Sequence, residues 1–526
     1  MLNLQHIIFL PPHKLCINQM FNLTKPNQKM KKMKIILGLL VLIFAVSCNQ
    51  NDELVNTDSQ NESQQKLLSI DEVNNQITNA IHKNGTFDWK EASDQLLWSA
   101  VMHGGNIVTV GYGDENESFR TEKSDRLTAV KNDILTSIKS SSAEKATKDV
   151  LLFEDNTLNL IDVKVLDIST IKMLREKSNI RYIEPEGYEY SGEILAQDKS
   201  AAGCDKSSNS ISWSDYGHVG NAHFPWNFYD HKINQAWAYS KGRGIGVGVI
   251  DTGVSNSQKN LGYRFDDYYS GRYIRKYGTY VDSWRWWATN TDGYHDKCGH
   301  GTSTAATVGA PLNNNHKMVG VAYECNLVTY RGTSDVVLNG YHERKGVAKA
   351  LKQLGNRSDV KIISMSIGYP WSIGRIKDAV RYAYARGKMI FAAGGTSTSY
   401  TNWYGVIFPA TMSETVAVTG VEESSSYSEC DVCHKGSKID FTFVMERANN
   451  HHHPILGYYD GQSSYFGGSS VATAATAGIA ALVWSRYPYW SRAQVYSRLR
   501  YAAAFSSKSS NFGYGNINAL KAVRGY

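Results

Sequence analysis

Gly246-Val247-Gly248-Val249-Ile250-Asp251-Thr252-Gly253 is the stretch on which the fold reading turns. From Ile245 to Ile250 no side chain is polar, which predicts a strand covered on both faces. It delivers a carboxylate at its C-terminal end, the edge where open α/β sheets gather their functional groups. A buried Asp must be hydrogen-bonded or paired, so Asp251 suits the task of orienting an imidazole. Outward from this strand, Val360–Ile367, Met389–Ala393 and Thr415–Val418 read as further buried strands. Val347–Leu354, Ile376–Arg386 and Ser470–Arg486 read as helices. The alternation predicts a doubly wound, mostly parallel α/β sheet with helices on both faces.

Two other stretches carry chemistry. Gly299-His300-Gly301-Thr302 precedes the small residues Ser303 to Ala306. Glycines beside the His let the backbone approach its neighbours, and the small residues let a helix pack close behind. Gly468-Ser469-Ser470-Val471-Ala472 opens a helix of small residues that ends ahead of Pro488. A Ser in that position commonly serves only as a helix cap. It is also where free N–H groups and the helix dipole favour negative charge developing on a nucleophile.

Taken together, Asp251, His300 and Ser470, in that chain order, resemble the triad of the subtilisin family. The likeness runs from about Trp226 to Val523. It includes Ser364-Met365-Ser366-Ile367-Gly368, Phe391-Ala392-Ala393-Gly394, Phe408-Pro409-Ala410 and Gly513-Tyr514-Gly515-Asn516-Ile517-Asn518-Ala519. The resemblance implies a serine endopeptidase that works by acyl transfer on protein or peptide substrates. Ser470 Oγ attacks the carbonyl, His300 takes its proton and returns it to the leaving amine, and Asp251 holds the imidazole tautomer. Ser366, Ile367, Gly368, Ala393 and Gly394 flank the substrate, which pairs with Ser366–Gly368 as an added strand.

The pattern departs from the family at Gly395, where an Asn usually donates to the oxyanion. Losing one such donor typically costs about 10²–10³ in turnover, or about 2.7–4 kcal/mol. The N–H of Ser470 remains, and Thr396, Ser397, Asn402 or a loop N–H are candidates to replace the Asn. Ala474 stands where the family commonly has Pro, and the family's Ala-Pro-Gly turn is missing near Phe443–Met445. The expectation is an active but slow or selective enzyme. The alternative is a catalytically impaired, peptide-binding pseudoprotease.

Ahead of this domain, helical patterns at Ser69–His82 and Asp88–Met102 lead into a strand at Asn106–Tyr112 and a helix at Asp125–Ile138. Strands at Val150–Glu154 and Leu158–Leu166, a helix at Ser169–Lys177 and a strand at Ile180–Ile183 follow. That β-α-β-β-α-β order is ferredoxin-like. It resembles the family's propeptide, an intramolecular inhibitor, and implies processing near Tyr190 with Tyr in the first pocket. Further upstream, Met30-Lys31-Lys32-Met33-Lys34, the apolar run Ile35–Val46 and Ser47-Cys48 form a signal of lipoprotein type. Cys48 is its lipidation site and the route to a membrane anchor, at the cell surface or otherwise after export. Residues 1–29 read as an upstream extension. The boundaries are therefore 1–48 for extension and signal, 49–103 for tether and helices, 104–190 for the propeptide-like domain and 191–526 for the catalytic domain.

The formal charge of +7 over 526 residues forms no basic block, which argues against a nucleic-acid partner. Beyond Cys16 and Cys48 lie Cys204, Cys298, Cys325, Cys430 and Cys433, an odd number. Export predicts two disulfides and one free thiol, with Cys298–Cys325 and Cys430–Cys433 as the expected pairs. Cys430-Asp431-Val432-Cys433-His434 also fits a haem-attachment pattern, but no cytochrome-like surroundings accompany it, so a short disulfide loop is expected. His451-His452-His453 is read as a solvated loop, since contiguous side chains diverge. No metal or cofactor is required by this chemistry. Asp266, Asp267, Asp292 and Asp296 are candidates for structural calcium without diagnostic spacing. Trp284, Trp286 and Trp287, with Tyr268 and Tyr269, form an aromatic stretch suited to a partner surface or a structural cover.

Overall fold

Ser69 opens helix α1 (Ile70–Asn84) with a capping box: its hydroxyl accepts from Glu72 N–H at 3.2 Å, and Glu72 accepts from Ser69 N–H at 2.7 Å. Helix α2 (Asp94–His103) starts later than its apolar pattern because Ser93 caps it. The computed structural model describes residues 66–119, 124–141, 150–192, 195, 203–396, 405–424 and 427–525. The expected signal, Cys48 and the tether at 49–65 lie outside the described residues, as do Ser397 and Asn402.

Strand β1 (Ile107–Tyr112), helix α3 (Asp125–Ser141), strands β2 (Leu151–Asp155) and β3 (Leu160–Lys164), helix α4 (Ile168–Arg175) and strand β4 (Ile180–Pro185) follow in turn. The sheet runs β2-β3-β1-β4 and is antiparallel throughout. This is the split βαβ arrangement that the element order implied.

The larger sheet has seven parallel strands in the order β11-β10-β9-β8-β5-β7-β6. They are β5 (Gly246–Asp251), β6 (Ile274–Gly278), β7 (Asn326–Arg331), β8 (Val360–Met365), β9 (Met389–Ala393), β10 (Thr415–Glu422) and β11 (Phe441–Glu446). Helices α5 (His300–Gly309), α6 (Tyr341–Asn356), α7 (Gly374–Ala385) and α8 (Gly468–Arg486) cover it. Alternation along β5 sorts them by face. Val247 and Val249 join the core of α5 and α8, whereas Ile250 joins that of α6 and α7. The strand order reverses between β5 and β8, so Asp251 ends its strand at the switch point, where such sheets place their sites. A hairpin, β12 (His453–Leu456) and β13 (Ser463–Phe466), leads into α8. Helix α8 is long and apolar enough to cross a membrane by composition, but its first seventeen residues are buried inside this fold.

The two sheets share a core. Ile183, Tyr188 and Tyr190 pack in one cluster with Tyr369, Trp371, Ile373 and Ile376. Buried charges add direction to the contact. Arg181 pairs with Asp378 at 2.6 Å, and Arg375 pairs with Glu186 at 3.1 Å and with Asp162. Removing one partner of such a pair typically costs about 3–5 kcal/mol, because the remaining charge is left buried and unpaired. Both carboxyl oxygens of Glu184 lie within 3.0 Å of Gly374 N–H at the start of α7.

Burial, then the neighbouring Glu186, pushes the Glu184 carboxyl up to about 8 from an ordinary 4.5. A raised folded value adds stability that is complete below the unfolded value and is lost as pH rises through about 8. Wild type should therefore lose unfolding free energy between about pH 5 and about pH 9 relative to Glu184→Gln, with a slope approaching about 1.4 kcal/mol per pH unit. Urea unfolding of both proteins across that range is the measurement, and parallel pH profiles would contradict the expectation.

Candidate active site

Asp251 is 1% exposed, and its oxygens are claimed by donors from three directions. Oδ1 accepts from Thr252 N–H at 2.7 Å and from His300 Nδ1–H at 2.8 Å, and Oδ2 lies 3.3 Å from Thr304 Oγ1, whose single proton it shares with Gly301 O at 3.1 Å. A carboxylate can only accept here, so the imidazole proton sits on Nδ1 and Nε2 keeps its lone pair. Ser470 Oγ lies 3.0 Å from that Nε2 and donates to it. The edge of Phe466 packs on the His300 ring with centroids 5.2 Å apart, shielding one side from water.

Local sequence explains why the three groups meet. Gly301 must be glycine, because a Cβ there would lie 2.3 Å from the carbonyl oxygen of Gly253. That contact brings the start of α5 against the end of β5. Asp296 caps α5 by accepting from Gly299 N–H at 2.7 Å and Thr302 N–H at 2.9 Å, and it also holds Thr252 Oγ1 at 2.9 Å. Asp292 pairs with Arg331 at 3.0 Å and Lys297 at 3.1 Å. Two of the candidate calcium ligands are thus engaged by protein groups. Ser470 sits in the first turn of α8, where backbone N–H groups have no partner within the helix.

Beside Ser470 lies a cavity of 110 Å³ lined by Ser366, Ile367, Gly368, Ala393, Gly395, Thr396, His434 and Leu195 among others. That volume is well below the roughly 300–1,000 Å³ of a drug-sized site and suits one side chain. The expected substrate contacts divide here. Ser366, Ile367, Gly368 and Ala393 line the cavity, and Ser366 Oγ donates to the Ser470 carbonyl at 2.9 Å. Gly394 does not reach it through a free backbone: its N–H goes to Val418 and its carbonyl accepts from Ile407. Gly368 is also committed, since its N–H donates to Val336 O and its carbonyl accepts from Leu338 N–H, each at 3.0 Å. The open edge expected over Ser366–Gly368 is therefore closed at Gly368 by the chain itself.

Gly395 has φ +125°, and a Cβ on it would lie 2.3 Å from His434 Nδ1. The His434 ring fills the space into which a side chain at 395 would extend. Burial drives this imidazole down to about 4, and its Nδ1 lies 3.0 Å from Gly405 O, so it is neutral near pH 7 with its proton on Nδ1. Thr396 and Ser469 form a tight pair next to the nucleophile. Ser469 N–H donates to Thr396 Oγ1 at 3.1 Å, Gly395 N–H donates to Ser469 Oγ at 3.2 Å, and the two hydroxyls are 2.9 Å apart. Two hydroxyls sharing one bond leave one proton over, and among the described residues it has no acceptor of its own.

Several sequence expectations are corrected. Among the described residues the disulfides are Cys204–Cys298 and Cys430–Cys433, not Cys298–Cys325. Cys325 is a fully buried free thiol in the core of α5 and α8, where burial pushes it up to about 11. With Cys430 and Cys433 bonded to each other, neither sulfur is available for a haem thioether. Tyr190 does not occupy the pocket at Ser470. Its ring is buried against Trp371, its hydroxyl lies 2.6 Å from that of Thr78, and its backbone is held by Asn339; among the described residues upstream, Leu195 reaches the pocket. His451, His452 and His453 do diverge, to Asp215, Glu446 and Asn227, but they are not a solvated loop throughout, since His453 is buried and opens β12. Trp284 is 84% exposed and Trp287 54%, so neither is a core cover. The sequence reading missed His434, whose only signal was a bulky ring following the C-x-x-C loop, matched to a glycine at 395.

A doubly wound parallel sheet that brings Asp, His and Ser together in this chain order defines the class of subtilisin-like serine proteases. Residues 242–516, just over half of the chain, match the model of the Subtilase family, and the chain belongs to that family. Among curated relatives, subtilisin E of Bacillus subtilis (strain 168) is 30% identical over 290 residues, covering 54% of this chain and 66% of that protein. Subtilisin of Bacillus pumilus is 29% identical, covering 54% and 92% respectively. The chain thus spans just under two thirds of the length of the first of these relatives. The crystal structure of MycP1 from Mycobacterium smegmatis is 21% identical with a TM-score of 0.46, covering 60% of this chain and 87% of that one.

Replacing Gly395 with the family's Asn should impair rather than improve the site, because the new Cβ meets the His434 ring. Gly395→Asn is expected to lower kcat on a peptide anilide by about tenfold or more, and Gly395→Asn with His434→Gly to recover part of it. A gain in kcat for the single substitution would contradict the steric account.

Proposed function

We propose that the chain is a serine endopeptidase in which Ser470 is the nucleophile, His300 the general base and acid, and Asp251 the group that orients and stabilises the imidazolium. One observation carries this reading: the bonds of 2.8 Å and 3.0 Å that join carboxylate, imidazole and hydroxyl in a line. Ser470 Oγ attacks a peptide carbonyl as His300 Nε2 takes its proton. The acyl-enzyme forms, the leaving amine receives that proton, and water repeats the sequence. The developing oxyanion is stabilised by Ser470 N–H and by the spare hydroxyl proton of the Thr396–Ser469 pair, in place of an Asn side chain. The chemistry uses protein groups alone.

The protein is made as a zymogen. The domain at 104–190 acts as its inhibitor, supported by the shared core with α7 and by Leu195 reaching the pocket at Ser470. Self-processing then falls on the C-terminal side of Leu195 rather than at Tyr190. Export and lipidation at Cys48 hold the unprocessed chain at a membrane surface, cleavage beyond Leu195 parts the catalytic domain from that anchor, and the partners are peptide substrates and the chain's own inhibitor domain. A second reading, a peptide-binding scaffold without turnover, is favoured only by the missing Asn at 395.

Ser470→Ala should abolish labelling by a fluorophosphonate probe, lower kcat by a factor on the order of 10⁶, the loss known for the equivalent change in subtilisin, and leave the chain unprocessed. N-terminal sequencing of wild type should begin beyond Leu195. Wild type that takes no probe and stays full length would favour the scaffold reading. Thr396→Val, which keeps shape but removes a hydroxyl, should cost about 10²-fold in kcat with KM little changed. A KM effect alone would remove Thr396 from the oxyanion site.

A further inference from the structure

We propose that His218, His223 and His316 form a transition-metal site that staples the hairpin ahead of the parallel sheet to the loop that follows α5. The inference goes beyond the hydrolase reading above and does not depend on it. His218 and His223 face each other in register across the hairpin of Tyr216–Val219 and Ala222–Pro225. The backbone of His223 turns away from that partner: its N–H donates to Lys317 O at 3.0 Å, and its carbonyl accepts from Val319 N–H at 2.9 Å. The two histidines are therefore a non-hydrogen-bonded pair, the kind whose side chains come closest. His316 comes from the adjoining loop. Ring centroids of His218 and His223 are 4.8 Å apart, and those of His223 and His316 are 5.8 Å apart. Three imidazoles bound to one ion at about 2.1 Å have centroids about 5 Å apart, so the rings already stand at nearly the right spacing. His218 and His316 are exposed, which leaves both rings room to turn their nitrogens inward.

The backbone around the cluster is held in advance. Asn313 Nδ2 donates to Pro311 O at 3.2 Å and to Lys317 O at 3.1 Å, and its Oδ1 accepts from Lys317 N–H at 3.0 Å, clasping the turn that carries His316. His316 itself takes a φ of +57°, a left-handed conformation in which His is one of the few enriched residues. Tyr216 stacks on the His223 ring with centroids 4.1 Å apart and planes 13° from parallel, which fixes that ring's plane. The lack of partners singles the three out. Among the described residues, no protein group hydrogen-bonds or ion-pairs with the side chains of His218, His223 or His316. From His231 onward, each of the other described histidines has a hydrogen-bond or carboxylate partner. Neutral imidazoles suit Zn²⁺, Cu²⁺ or Ni²⁺, and a donor set without a carboxylate is wrong for Ca²⁺ or Mg²⁺. Three protein ligands leave the fourth position to solvent. Such an ion joins the hairpin to the loop behind the helix that His300 opens, adding a cross-link where two backbone hydrogen bonds now hold.

The test uses the full chain, purified without a histidine tag and dialysed free of transition metals. Equilibrium dialysis against Zn²⁺ with elemental analysis gives the stoichiometry, and competition with a chromophoric chelator gives the affinity. Wild type is expected to hold one Zn²⁺ at this site. His218→Ala and His316→Asn should each weaken its binding by about 100-fold or more, since even loss of an outer-shell partner costs about 10–100-fold. Position 218 is exposed, and Asn tolerates the left-handed backbone at 316, so both variants keep the fold, which circular dichroism checks. Zn²⁺ should raise the melting temperature of wild type but not that of His218→Ala. His452→Ala, beside the acidic group of Glu422, Asp431 and Glu446, should bind as wild type does. Wild type that binds Zn²⁺ no more tightly than His218→Ala overturns the site, as does loss of binding in His452→Ala alone. Neither result touches the hydrolase reading, which stands or falls on labelling at Ser470.

Discussion

A carboxylate buried as deeply as Asp251 is tolerable only when its oxygens are matched by donors, and the surrounding architecture follows from meeting that demand. Thr252 N–H and His300 Nδ1–H satisfy one oxygen, and Thr304 approaches the other. To bring those donors in, α5 must begin against the end of β5, which in turn requires Gly301 to touch Gly253 and Asp296 to cap the helix. The same constraint fixes the imidazole tautomer and aims its lone pair at Ser470. A neutral group in place of Asp251 would lose the fixed tautomer, and a larger residue at 301 would part the strand from the helix.

On the far side of the nucleophile, Gly395 and His434 are packed as a complementary pair. With no side chain at 395, the loop closed by Cys430–Cys433 sets His434 into the vacated volume, joined by the bond from His434 N–H to Gly395 O at 3.0 Å. The imidazole is buried and neutral, so it fills the space beside Gly395 without adding charge there. Next to it, the hydroxyls of Thr396 and Ser469 interlock with each other and with Gly395 N–H and Ser469 N–H within 3.2 Å.

The chain's own segments crowd the cleft from several directions. Val336–Leu338 occupies the backbone edge at Gly368, Leu195 reaches the acyl pocket and Gly203 abuts His300. The antiparallel N-terminal sheet is anchored behind them by Arg181, Arg375 and a continuous apolar cluster. Apolar burial supplies attraction there, while buried ion pairs restrict which register satisfies every charge.

The strand at 246–251, the helices at Ser470 and Ile376 and the β-α-β-β-α-β order were legible in the sequence, because two-sided burial leaves continuous apolar runs and small residues mark close approaches. Strands β6 and β7 were not, since Ile274–Gly278 and Asn326–Arg331 mix charged and apolar residues without a sustained run. Motifs of a few residues named Asp251, His300 and Ser470 because each local backbone needs its own glycines. Which cysteine meets Cys298, what fills the space at Gly395 and where Tyr190 points were left to the tertiary structure. Those outcomes depend on contacts across tens to hundreds of residues, and such pairings are set by how two sheets and their loops pack rather than by any local pattern.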